Sequence, residues 1–460
     1  MFTMLDVTAE SPVNVRPSHL VELPLTPLQA RWWQLCTTHP GGMSPLVDLV
    51  HRFRGPLDAD AWARAVDAVV NRHEILRTLF ADRPDGPVQV VGPANGIAME
   101  VLDLRDLPAD QREQRARELL NERRTLALDL RIGPLVHTSL LRLADDDHVW
   151  RMTIHHILAD GASLGVIDRE LGLLYPALVA GTEPDLPGLP VQYGDFAWSQ
   201  SVADTEKEDE DREYWREQLA GLAPLELVDA LPRPATKGAP AAQLARTMDP
   251  ELVRQVEELG RAARCTRFMV LLAALHVLLY RASGRDDFAI GIPVAGVGRT
   301  RPELARLVGL FNNALALRGD LSGDPAFREV LARTRETVID ALDHQDLPWG
   351  QVVAALDEPS HPGRAQGFQA MFLHEEVEVA SRLTLPGLAV EDFGLGIPKV
   401  LHDLMVYARP GPQGLSTTFV YDTGLLTEPV VAGLADGYER VLRAVVDEPD
   451  IRLSELVKGV

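Results

Sequence analysis

The stretch IHHILADGASLG, residues 154–165, gathers His155, His156, Asp160 and Ser163 in one short run of small and apolar residues. Three chemistries use these residue types. A metal site would take His155, His156 and Asp160, but neighbours on a strand project to opposite faces, which sends the two imidazoles apart. The spacing also differs from that of a helical H-E-x-x-H site, so no metal ligands are assigned. A serine hydrolase would use Ser163, because Gly161-Ala162-Ser163-Leu164-Gly165 matches G-x-S-x-G between a strand and a helix. His344, His374 and His402 follow in the chain order that mechanism needs. The same serine is equally well placed to offer its hydroxyl to amides at a helix N-terminus. The third chemistry makes His156 a general base, since an imidazole titrating near about 6.5 accepts a proton at neutral pH without large tuning. His156, last on the strand, would then face a cleft while His155 turns inward. Asp160 would pin the loop through an arginine or backbone amides, and the Gly161 amide would meet negative charge developing on an oxygen. Such a site suits an activated acyl group, because a thioester needs no nucleophile from the protein.

The elements that must hold these residues follow from periodicity. HVWRMTIHH (148–156) reads as a strand rich in β-branched and aromatic residues, and Leu164, Ile167, Leu171, Leu174 and Leu178 recur at helical spacing after it. Upstream, LTPLQARWWQLCTT (25–38) is a helix capped by Thr26 with Pro27 at its first position, and DLVHRFRG alternates as a strand. A helix is expected over 58–80, with Trp62, Val66, Val69 and Val70 on its buried face, then a strand at DGPVQVV and a helix over 109–126. Pro/Gly-rich GTEPDLPGLP, the charge run ADTEKEDEDRE and breaker-rich LPRPATKGAPAA then change the texture, the charge run being read as a solvated helix face. They divide the chain into an N-terminal lobe, 1–183, and a C-terminal lobe, 184–460. The second lobe restarts with helices at 250–262 and FMVLLAALHVLLYRAS and a strand at FAIGIPVAG. It closes with the strands LHDLMVYARP and LSTTFVYD and the helix VVAGLADGYERVLRAVV. The β, α, β order in each half makes two similar α/β lobes the expected architecture.

Composition narrows the function classes. At 460 residues, two lobes are the prior, and 46% apolar with 24% charged residues is the balance of a folded chain. The excess of 67 acidic over 45 basic residues, a net charge of −22, argues against nucleic acid as a partner. No apolar run reaches the roughly 20 residues of a membrane span, and the start, MFTMLDVTAESPVNVRPSHL, lacks the pattern of a signal peptide. Cys36 and Cys265 are the only cysteines, which argues against a disulfide framework, so a cytoplasmic protein is expected.

HHILADGAS resembles the H-H-x-x-x-D-G-x-S motif of nonribosomal peptide synthetase condensation domains. Other blocks of that family stand in the same order: LTPLQARWWQL (25–35), RHEILRTLF (72–80), YGDFAW (193–198), VGLFNNALALR (308–318) and HQDLPW (344–349). The resemblance implies two chloramphenicol-acetyltransferase-like lobes forming a V-shaped pseudo-dimer with a tunnel between them. It also implies an acyltransferase that takes an aminoacyl or acyl group from the 4′-phosphopantetheine thioester of an acyl or peptidyl carrier protein. A small-molecule acceptor would receive that group through an amine or hydroxyl, giving an amide or ester. No cofactor would be bound by the enzyme itself. His156 takes the place of the catalytic motif histidine, His155 the supporting place, Asp160 the structural one, and Gly161 the tight turn beside the reacting carbonyl. Arg72 and Arg77 fall at arginines that serve as ion-pair partners, and Arg299 is a candidate partner for Asp160. Ala162, Asn313 and Trp349 would line the substrate channel.

The chain departs from the family pattern in places. Ala162 stands where a bulky residue commonly follows the motif glycine, FNNAL replaces F-V-N-T, and the late R-D-x-S-R-N-P-L block survives only as GRAQGFQAMF. EDFGLGIP (391–398) is similar to the D-F-G-W-G signature of coenzyme A-dependent acyltransferases of the same fold, which keeps that class open. A non-catalytic carrier-binding platform is the remaining alternative, although degenerate relatives of that kind lose the motif histidine that stands here. The chain shows no adenylation or carrier motif, and Met1 with the ending reads as a stand-alone enzyme. Stand-alone relatives join amino acids to large polyketide cores such as enediynes, so antibiotic assembly is the expected context.

Overall fold

The computed structural model describes residues 13, 15–17, 21–38, 45–125, 128–202, 206–235, 239–296, 299, 301–356, 361, 363–375, 383–397, 399–411 and 413–459. Met1 with most of the start, residues 203–205 of the charge run, residues 236–238 of the breaker-rich stretch, residues 126 and 398, and Val460 lie outside the described residues. Along the chain the first strands are β1 (Glu22–Pro24), β2 (Leu46–Arg54), β3 (Thr78–Ala81), β4 (Val88–Val91), β5 (Met99–Asp103), β6 (Val136–Ala144) and β7 (Asp147–His155). They are followed by β8 (Ala241–Met248), β9 (Asp287–Val294), β10 (Asn313–Asp320), β11 (Ala370–His374), β12 (Ala389–Asp392), β13 (Leu404–Gly411) and β14 (Gly414–Asp422). The helices used below are α1 (Pro27–Thr38), α2 (Ala59–Arg72), α3 (Ala109–Glu122), α4 (Gly161–Ala180), α5 (Tyr193–Ser201), α6 (Glu206–Gln218), α7 (Pro250–Ala262) and α8 (Arg267–Ser283).

The chain folds into two compact units: Met1–Thr205, Val297–Phe311 and Ser381–Leu395 in the first, and Glu206–Gly296, Asn312–Ala380 and Gly396–Val460 in the second. This division differs from the single cut expected after residue 183. The Pro/Gly-rich connection there is followed by α5, whose Tyr193 and Phe196 are buried in the first unit's core. Two later segments return to that core because their apolar side chains fill it: Leu304, Leu307, Leu310 and Phe311 from one, Leu383 and Leu385 from the other. A composition shift marks where a chain bends, not where its apolar residues end up.

In the first unit, a five-stranded sheet runs β12-β2-β7-β6-β5, and a small one runs β1-β4-β3. β7 is central, antiparallel to β2 and β6. Eight of its nine residues are buried, polar His148, Arg151, Thr153 and His155 along with Val149, Trp150, Met152 and Ile154. On one face Trp150 meets Trp62 of α2 edge-on at 5.0 Å, and on the other Val149 joins Leu120 of α3 and Leu141 of β6. The helix expected over 58–80 ends at Arg72. His73 takes an extended backbone, Glu74–Arg77 form a single 3₁₀ turn, and Thr78–Ala81 pair with β4. Tertiary contacts override helical propensity there: the buried His73 ring bonds Glu170 of α4 at 3.0 Å and accepts the Val308 amide at 3.4 Å.

The second unit carries a six-stranded sheet, β10-β9-β11-β13-β14-β8, parallel only at β9–β11 and β11–β13. Its centre is α8, capped by the Thr266 side chain and closed by Gly284 in the left-handed conformation. Met269 through Leu279 are all buried, so this helix is apolar all round because it packs on all sides. Among the described residues no single helix is long and apolar enough to cross a membrane. Both units are thus mixed α/β, sheets with helical cover, as the sequence led one to expect.

Candidate active site

β7 ends at His155, a four-residue turn follows, and Asp160 caps α4. The turn separates the environments of the two histidines. The His155 ring is 1% exposed. Its Nδ1 accepts the Ile157 amide at 3.1 Å and its Nε2 faces Cys36 Sγ at 3.8 Å. Burial, with some help from His156, pulls its pKa down to about 3, so it is neutral at physiological pH. Cys36, pushed up to about 11 by burial, is a thiol. This pair belongs to the interior.

His156 is half-buried and its ring stacks on Trp32 of α1, with centroids 5.3 Å apart and planes at 23°. Its amide donates to Pro45 O at 2.8 Å. Nδ1 is buried, and no described side chain bonds it. Burial lowers the pKa, opposed by the main chain at His156 and Ala159 and by the Asp160 carboxylate. The ring is thus a neutral imidazole at neutral pH, with one of its two nitrogens unprotonated.

Asp160 is 1% exposed and works as a hub. Oδ1 accepts the Ser163 amide at 2.8 Å, the Ser163 hydroxyl at 2.7 Å and Arg299 Nη2 at 2.8 Å, while Oδ2 accepts the Phe311 amide at 3.1 Å. Arg299 also donates to Leu307 O at 2.6 Å and lies 4.5 Å over the Phe311 ring. The carboxylate therefore caps α4 and ties residues 299–311 to it. Ser163 is fully buried: its hydroxyl bonds Asp160 and Gly309 O, and accepts from Gly309 N and Arg299. Such a saturated hydroxyl is a cap, not a nucleophile elbow, and the hydrolase reading falls on this geometry. The histidines it needed bond elsewhere: His344 to Asp211, His374 to Arg267 and His402 to Phe368 O.

Gly161 and Ala162, the first residues of α4, are exposed. A methyl group built on Gly161 would meet nothing within 4 Å, so open space lies beside its amide. Arg72 pairs with Glu170 at 2.9 Å, and Arg77 holds Gly92 O and lies 3.7 Å from Glu74, so both arginines tie elements together. Asn313 and Trp349 lie in the second unit. The Asn313 amide donates to Gln345 O at 2.9 Å and Leu347 O at 2.8 Å, and its oxygen accepts the Trp349 amide at 2.8 Å. That side chain is engaged in holding a turn, and Trp349 packs on Phe368 at 4.9 Å. In the D-F-G-like segment, Arg117 of α3 stacks over Phe393 at 4.2 Å and bonds Gly394 O at 3.0 Å, which ties the end of β12 to α3.

Sequence reasoning missed three supports of the turn. Trp32 carries the stack, Gln29 reaches Gln89 at 3.1 Å and Ile157 O at 3.4 Å, and Tyr193 bonds Leu310 O at 2.9 Å and Thr26 at 3.1 Å. All three sit in the blocks LTPLQARWWQL and YGDFAW, where their clustering was the available signal.

The condensation-domain family model matches residues 20–458, and the chain belongs to that family. It is 37% identical over 443 residues to one of the linear gramicidin synthase proteins of Brevibacillus parabrevis, covering 95% of this chain but only 8% of that protein's length. The X-domain from teicoplanin biosynthesis superposes with a TM-score of 0.86 at 27% identity, covering 96% of this chain and 99% of that one. The SgcC5 protein of Streptomyces globisporus, solved with (R)-(-)-1-(2-naphthyl)-1,2-ethanediol and sucrose, gives a TM-score of 0.73 at 28% identity, covering 93% and 100%. In nonribosomal peptide synthetases, condensation domains form peptide bonds and work with carrier proteins bearing phosphopantetheine.

Proposed function

We propose that this chain transfers an aminoacyl or acyl group from a carrier-protein thioester to the amine or hydroxyl of a small-molecule acceptor. The product is an amide or ester of nonribosomal-peptide or hybrid natural-product assembly, enediyne-type antibiotics among them, made in the cytoplasm. The observation that carries this reading is His156: a half-buried neutral imidazole that no described side chain hydrogen-bonds, while Asp160 and Ser163 nearby are engaged with Arg299 and the main chain. The acceptor's N–H or O–H donates to Nε2 as its heteroatom attacks the thioester carbon. The new C–N or C–O bond forms, the C–S bond breaks, and the proton passes through the imidazole to the departing pantetheine thiolate. A positioned base of this kind contributes about 10²–10⁴-fold, and aligning two bound substrates contributes several kcal/mol more. His155, Asp160, Arg299, Arg72 and Arg77 hold the site without touching substrate. A hydroxyl acceptor is supported by the diol bound in the similar SgcC5 structure.

Ala162, exposed beside the open space at Gly161, admits a bulky acceptor in this reading. Mass spectrometry of reactions with loaded carrier protein, matched free acyl-CoA and a panel of amines and alcohols tests the whole proposal. Acceptor-dependent loss of the acyl group from the carrier is expected. Equal turnover of free acyl-CoA supports the coenzyme A-dependent class instead.

A further inference from the structure

A histidine that handles a proton needs its ring plane held, and the usual holder is a carboxylate or carbonyl on the second ring nitrogen. Among the described residues no carboxylate bonds the His156 ring: Asp160 directs both oxygens at Ser163, Arg299 and Phe311, and the ring's polar contacts are with the main chain at His156 and Ala159. The group in contact with the ring face is the indole of Trp32, stacked at 5.3 Å and 23°. The helix that bears this indole is tied to the loop that bears the histidine. Gln29 of α1 donates to Ile157 O at 3.4 Å, the Thr26 cap bonds Tyr193 at 3.1 Å, and the neighbouring Trp33 is buried against Phe80 at 6.2 Å. Cys36, one turn further along α1, contacts His155. One helix face thus addresses both histidines, with Trp33 as its anchor and Trp32 presented to the ring.

We propose that Trp32 is a positioning residue for His156: its indole face, in place of a carboxylate, fixes the imidazole plane and so aims Nε2 at the acceptor. The inference rests on the acyl-transfer reading of His156 and adds the residue that orients it. Stacking restrains tilt but allows sliding, so an aromatic ring of another size substitutes for indole while an aliphatic side chain of similar bulk does not.

The test uses the full chain and the variants Trp32→Phe, Trp32→Leu and His156→Gln, with two readouts. Proton NMR of histidine-labelled protein, assigned through His156→Gln, reports the upfield ring-current displacement of the His156 carbon-bound protons without any need for turnover. Kinetics with a loaded carrier report kcat and KM. The expected result is an upfield His156 signal in wild type and Trp32→Phe that is lost in Trp32→Leu. Alongside it, kcat falls roughly 10- to 100-fold in Trp32→Leu with KM nearly unchanged, and stays within about threefold of wild type in Trp32→Phe. A Trp32→Leu variant with wild-type kcat overturns the proposal, as does a His156 signal that is not displaced in wild type. An equal kcat loss in Trp32→Phe and Trp32→Leu also overturns it, because a packing role alone gives that pattern. A wild-type chain that shows the displaced signal but no transfer contradicts the acyl-transfer reading instead, so the two failures are told apart.

Discussion

At the scale of single residues, the turn after β7 separates chemistry from support. Two adjacent histidines stand in different environments: one ring is enclosed against Cys36, the other lies half-buried against an indole. His156→Ala should therefore lose about 10²–10⁴-fold in kcat while unfolding at the wild-type denaturant midpoint, measured by turnover beside a urea titration. Because burial depresses the His156 pKa, protonation that removes the Nε2 acceptor begins only below the ordinary histidine value. The acid limb of kcat/KM should have its midpoint below about 6.5, and a midpoint above neutrality would contradict the assignment. Ala162→Trp, which fills the exposed position beside Gly161, should lower kcat/KM for a bulky acceptor more than for a small one, measured by competition between the two. The motif singled these residues out in the sequence. Strand alternation was expected to separate the two histidines, but β7 ends at His155 and the turn does so instead; the stack with Trp32 was not legible, because no local pattern links residues 32 and 156.

At the scale of elements, the start of α4 is held by a carboxylate that serves as helix cap and ion-pair partner together. Loss of the cap alone costs about 1 kcal/mol, whereas stranding the buried guanidinium of Arg299 costs about 3–5 kcal/mol, so the second effect dominates. Asp160→Ala should destabilise the first unit by that larger amount and lower activity through the loop, read as an earlier first transition in urea. Asp160→Asn, which keeps an acceptor for the Ser163 amide, should retain more of the cap than Ala does. Long elements with strong periodicity, such as α4, α7 and α8, were legible from their apolar spacing. The stop of α2 at Arg72 was not, since His73 is held extended by Glu170 and Val308, partners far along the chain. β12 was invisible for a related reason: its residues are mostly exposed, and Arg117, rather than apolar patterning, straps its end. G-x-S-x-G misled because a capping serine and an elbow serine share one local sequence.

At the scale of the molecule, the fold keeps several histidines neutral in its interior. Burial draws His155 to about 3 and His276 to about 4, and His374 also falls to about 4 beside Arg267. Between these values and the unfolded value near 6.5, the unfolded chain binds protons that the folded chain refuses, so stability rises with pH across that window and levels off above it. The urea midpoint should be flat from pH 8 to about 7 and then fall steadily toward pH 5.5, above the range in which most carboxylates titrate. A midpoint independent of pH over that range would show that these rings are not enclosed. The return of 297–311 and 381–395 to the first unit lay beyond sequence reasoning, because breaker-rich stretches record bends and not destinations. Family membership was legible because six motif blocks keep their order across the chain. The most direct test of the central claim follows the mass of an acyl-loaded carrier protein in single-turnover reactions with wild type and His156→Ala. Wild type should move the acyl group onto an added amine or alcohol with release of the free pantetheine thiol, and His156→Ala should leave nearly all of it on the carrier. Equal transfer by the two proteins would contradict the account.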